Sequence, residues 1–102
     1  MKKYTAIIRT KTEGIDNEGR YHTYTYKYET DRLRDIYEQA KIDTCDYNGI
    51  GLAFVYDKQG QALKQIASIG REIAVYAELD NEARQDAAVL YADHKEDDVI
   101  AL

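Results

Sequence analysis

Between Arg20 and Thr30 the chain reads RYHTYTYKYET, with tyrosine at positions 21, 24, 26 and 28. From Thr23 onward every second residue is aromatic, a two-residue period that fits a β-strand and no helix. Tyr24, Tyr26 and Tyr28 must therefore share one face, while Thr23, Thr25, Lys27 and Glu29 share the other. The fold needs these rings. Leu, Ile, Val and Phe make up only about 21% of the 102 residues, near the level at which a chain stops being able to fill a core. Ten tyrosines and twelve alanines lift the apolar share to 44%. We therefore expect the stripe to be core, packed beneath a helix, rather than a platform for bases or sugars.

The other segments fall around that strand. KYTAIIRTK alternates with Tyr4, Ala6 and Ile8 on one side and Thr5, Ile7 and Arg9 on the other. The glycine-containing EGIDNEG (Glu13–Gly19) joins the two runs, which predicts an antiparallel hairpin. In TDRLRDIYEQAKID, Leu33, Ile36, Tyr37 and Ala40 recur at helical spacing, with Thr30 or Asp31 to cap the first turn. A loop DTCDYNG (Asp43–Gly49) follows. GIGLAFVYDKQGQALKQIASI reads as a second hairpin around DKQG (Asp57–Gly60), with Ile50, Leu52, Phe54 and Tyr56 on one face. Residues 61–79 fit two patterns, because Leu63, Ile66, Ala67, Gly70, Ile73, Ala74 and Ala77 also trace a helical stripe; the strand is the reading adopted. DNEARQDAAVLYADHK is a helix capped by Asp80, with Ala83, Ala87, Leu90 and Tyr91 on its buried face. The order ββα–ββα predicts an α+β fold: one domain over residues 1–102, a four-stranded, mainly antiparallel sheet, and two or three helices on one face.

Reaction chemistry finds little support. Cys45 is the only cysteine, so no intrachain disulfide can form, and a lone thiol suits a reducing, cytoplasmic compartment. Its neighbours Asp43 and Asp46 oppose thiolate formation, and neither His22 nor His94 is spaced to serve it as a base. Aligning Gly49 with the glycine of a calcium loop puts Thr44 and Val55 where Asp and Glu are needed. The same test on DNEG gives Gly14 and Thr25. One cysteine and two scattered histidines make no zinc site, and no phosphate-binding or nucleophile-elbow motif occurs. The N-terminal MKKYTAIIRTK has three consecutive apolar residues, against about seven for a leader and about twenty for a membrane span. The expectation is a non-enzymatic, soluble protein without cofactor, metal or membrane attachment.

Charge is the remaining signal. Net charge is −5, yet residues 1–41 sum to +2, residues 42–71 balance, and residues 72–102 sum to −7. On the last helix Glu82, Asp86, Val89 and Asp93 fall within about 60° of one another, and Glu96 and Asp97 extend the stripe. A solvated face is one explanation. The other is a docking surface for a protein partner with a basic face, where like-signed carboxylates steer association. Such a surface can mimic nucleic-acid phosphates, as small phage- or plasmid-encoded inhibitors do. Sequence alone thus favours an acidic inhibitor- or adaptor-like binding module. The alternatives are a self-associating accessory protein, a homodimer by default, or a small-ligand or single-stranded nucleic-acid binder using the tyrosine strand. Nucleic acid is disfavoured because the chain is acidic and lacks a basic cluster.

Overall fold

The structure is a computed structural model that describes residues 2–13, 21–45, 50–69 and 73–102. The tyrosine strand forms as its alternation requires. β1 (Tyr4–Glu13) and β2 (Tyr21–Thr30) make an antiparallel hairpin with Ile8 opposite Tyr26 and Ala6 opposite Tyr28. Then come α1 (Leu33–Cys45), β3 (Ile50–Tyr56), β4 (Ala62–Ile69), β5 (Ile73–Ala77), α2 (Asn81–Asp93) and β6 (Val99–Ala101). All eight join one α+β unit with a Cα radius of gyration of 13.2 Å, the size expected of a compact chain this long.

The sheet has six strands in the order β5-β4-β3-β1-β2-β6, not four. Every pairing is antiparallel except β2 with β6, so the sheet is mixed. Residues 61–79 supply two strands rather than one arm: β5 folds back on β4, with Ala67 opposite Val75. The three residues of β6 are too few to show a period, and they are ordered by pairing with Lys27, Tyr28 and Glu29. The ββα–ββα order accordingly becomes ββα–βββα–β.

The helices lie on opposite faces, which corrects the one-sided layer expected from sequence. Adjacent residues on a strand point to opposite sides of the sheet. Ala6 and Ile8 of β1, with Ala53 and Val55 of β3, pack against Ile36 and Ala40 of α1. Ile7, Phe54 and Tyr56, one residue out of phase, pack against Ala83, Ala87 and Leu90 of α2. The uninterrupted runs AII and LAFV belong to strands buried on both faces. The expected set Leu52, Phe54 and Tyr56 does share a face, but Ala53 and Val55 on the reverse are buried as well.

Local chemistry fixes the helix ends. Asp80 Oδ1 accepts from the Ala83 amide at 2.8 Å, capping α2 as the sequence suggested. At α1, contrary to the expectation from sequence, neither Thr30 nor Asp31 accepts from an amide of the first turn among the described residues. Thr30 Oγ1 accepts from the amide of Arg32, which precedes the helix, at 3.1 Å and ties to the first turn by donating to the Asp35 carboxylate at 3.2 Å. Asp31 instead accepts from the Lys3 amide, and that bond together with Lys2 holds its carboxyl below the ordinary carboxylate range. α1 runs on through Cys45, so the expected loop at Asp43–Gly49 begins later, and residues 46–49 lie outside the described residues. The DKQG turn forms as read: Asp57 Oδ1 accepts from the amides of Gln59 and Gln61, each at 2.9 Å. Residues 14–20, most of the first expected loop, are outside the described set.

Candidate functional site

α2 is held to the sheet from beneath and at its C-terminal end, and its outer face is exposed. Tyr56 is fully buried and donates to the Ala87 carbonyl at 2.6 Å, and its ring lies 4.8 Å from that of Tyr91. Gly60, at φ +82°, admits the Tyr91 ring; a Cβ there would come within 2.9 Å of it. Also at the C-terminal end, Lys27 Nζ donates to the carbonyls of His94 and Lys95, at 3.3 and 3.0 Å. That places a cation where the helix dipole favours one. Sequence had put Lys27 on the polar side of its strand; that side is the one α2 crosses.

Glu82, Asp86, Val89 and Asp93 all lie exposed along α2, and Val89 is 61% exposed. Among the described residues none of the three carboxylates makes a hydrogen bond or ion pair. Arg34 and Lys41 on α1, and Arg32 just before it, lie across the sheet and cannot neutralise them. Asp86, Val89 and Asp93 also line a cleft of about 390 Å³ between α2 and the sheet, walled by Leu52, Phe54 and Leu90 and by Arg9 of β1. A second groove adjoins it through Leu52, Phe54 and Asp86, and is rimmed by Glu78, Asp80 and Glu82. The acidic stripe is therefore the lip of an apolar cleft rather than a plain solvated face. Sequence reasoning found the lip and missed Arg9, Leu52 and Phe54. Leu52 and Phe54 were legible as one face of a strand, but α2 had not been assigned to that face.

The tyrosine stripe is graded. Tyr28 is 4% exposed beneath α1, with its hydroxyl donating to Asp43 at 3.1 Å; Tyr26 is half-buried on the same cluster, and Tyr24 is 38% exposed. Burial first, then the Asp43 charge, pushes the Tyr28 phenol above its ordinary pKa. Exposure thus rises along the stripe from Tyr28 through Tyr26 to Tyr24. His22 falls on β2, and His94 closes α2 with Nδ1 2.6 Å from Asp97 Oδ2. Cys45 is the last residue of α1. Among the described residues no three His, Cys, Asp or Glu side chains converge as metal ligands, and no helix is long and apolar enough to cross a membrane.

Comparison with protein-family models, with curated proteins and with solved structures gives no significant match. The functional reading accordingly rests on the geometry of α2 and its cleft.

Proposed function

We propose that this protein is a non-enzymatic binding module whose α2 face docks on a basic segment of a protein partner, in the manner of an inhibitor or adaptor. The observation that carries the reading is the cleft under α2, where an exposed valine stands between two carboxylates that, among the described residues, form no ion pair, although Arg9 lies across the cleft from them. A lysine or arginine of the partner can lay its apolar stem against Leu52, Phe54 and Val89 and bring its charge to Asp86 and Asp93. The placement of Asp93 supports the reading. It sits in the last turn of α2, where the helix dipole disfavours acid by about 0.3–1 kcal/mol. Helix stability does not account for that choice, whereas a role at the surface does.

Affinity capture from the protein's own cells tests the proposal. The wild-type chain should retain a basic protein at low salt and lose it as salt rises, because steering charges are screened. The variant combining Glu82→Gln, Asp86→Asn and Asp93→Asn should fold normally and retain none of it. Equal capture by the variant would refute the assignment.

A further inference from the structure

Strand β5 ends the sheet, and among the described residues its backbone pairs with β4 alone. Sheet edges are ordinarily guarded by charge, proline, a bulge or a covering element. β5 reads IAVYA, with no charge and no proline. Both of its faces show apolar side chains to solvent: Val75 on the α2 side is 51% exposed, and Tyr76 on the α1 side is 55% exposed. The opposite edge differs, since β6 is three residues long and pairs parallel to β2.

We propose that two copies of this chain associate by antiparallel pairing of their β5 edges about a two-fold axis at Val75. The register follows from strand length. Only with Val75 opposite its own counterpart do all five residues of Ile73–Ala77 pair, and Ala74 then stands opposite Tyr76 of the second copy. Opposed residues in such a pair have Cβ atoms about 5 Å apart. On the α1 side the small Ala74 leaves a groove walled by Arg34, Tyr37 and Glu38, with the Tyr37 hydroxyl fixed on the Ala74 carbonyl. The Tyr76 ring of the second copy enters that groove, and its hydroxyl comes between a guanidinium that donates and a carboxylate that accepts. The two Tyr76 rings become diagonal neighbours within aromatic reach.

Charge does not drive the arrangement. Each copy brings Arg34 and Glu38 to the groove and Lys64 over the Tyr76 ring, its Nζ 5.0 Å from the centroid, so the two-fold gathers a positive excess that the backbone pairing of the edges must outweigh. The area is small: half of two side chains and five residues of backbone per copy stay below about 1,200 Å² in total. The dimer is therefore weak and concentration-dependent. It uses the β5 edge of the sheet, whose last residue Ala77 also lines the groove rimmed by Glu78, Asp80 and Glu82, and it does not depend on the docking role of α2.

Sedimentation equilibrium across about 10 μM to 1 mM tests this, a range chosen for an interface of that size. The wild-type mass should climb from 11.7 kDa toward twice that value. Tyr76→Lys and Val75→Lys change residues exposed in the monomer, so each should keep the native circular dichroism while raising the dimer dissociation constant roughly tenfold or more. Val89→Asp and Ile100→Lys should leave it unchanged. A chain that stays at 11.7 kDa throughout overturns the proposal, including one whose β5 pairs only with a strand of another protein. A dimer that survives both β5 variants, or is lost through Ile100→Lys, overturns it as well.

Discussion

Tyr24 and Tyr28 lie on the same face of the same strand, yet one is 38% exposed and the other 4%. Alternation in the sequence fixes which way a ring points; how far a helix reaches over it depends on how that helix crosses the sheet. Tyr28→Ala should therefore cost about 3–5 kcal/mol, as deletion of a buried ring does. Tyr24→Ala should cost less than about 1 kcal/mol, and urea unfolding of the two variants measures the difference. The buried phenols also set a pH dependence. Burial holds the Tyr28 and Tyr56 protons beyond the ordinary tyrosine pKa of 10.0, with Asp43 adding to the effect at Tyr28 and Tyr91 at Tyr56. The unfolded chain releases both protons near pH 10 while the folded chain keeps them, so high pH favours unfolding. Stability from these groups is intact below pH 10 and falls as pH rises above it. The urea midpoint should be level up to about pH 9, then decline, and Tyr56→Phe should make the decline shallower.

At the scale of elements, the amphipathic stripes of both helices were legible because helical spacing of Leu33, Ile36, Tyr37 and Ala40, or of Ala83, Ala87, Leu90 and Tyr91, admits one buried face. Their assignment to a single side of the sheet failed. Strands read as one-sided alternations hid the burial of Ala6, Ala53 and Val55 behind Ile7, Phe54 and Tyr56. The runs AII and LAFV carried that signal, since a strand with one wet face interrupts its apolar residues. β5 escaped recognition as a strand of its own, apart from β4, because IAVYA has no polar alternation and its alanines also suit a helix. β6 escaped because its order comes from β2. Two predictions belong here. Gly60→Ala should destabilise the protein by about 1–3 kcal/mol, because the new methyl meets both a left-handed backbone and the Tyr91 ring. Neutralising Glu82, Asp86 and Asp93 together should move the unfolding free energy by no more than about 0.5 kcal/mol, because these exposed carboxylates make no hydrogen bond or ion pair among the described residues. Urea melts read both.

For the whole molecule, two surfaces among the described residues carry the account, and they adjoin at Ala77, the end of β5 that lines the groove rimmed by Glu78, Asp80 and Glu82. The edge strand β5 faces sideways from the sheet, and the acidic lip of α2 stands over one of its faces. The acid was visible in the sequence as a stretch of charge −7 over residues 72–102. The cleft beneath it was not, because it joins residues of β1 and β3 to a helix more than thirty positions away. Charge on a lip over apolar walls is the arrangement expected of a surface that draws a partner in by long-range attraction and holds it by contact. Val89→Asp should accordingly raise the dissociation rate, while loss of the carboxylates should lower the association rate, and surface-binding kinetics against the captured partner separate the two. The most direct test is amide hydrogen exchange of the chain with and without the protein it captures from its own cells. The account predicts slowed exchange over Asn81–Asp93 and at Leu52 to Phe54, with α1 unaffected. Unchanged exchange in α2, with protection confined to Tyr21–Thr30 or Ile73–Ala77, would contradict it.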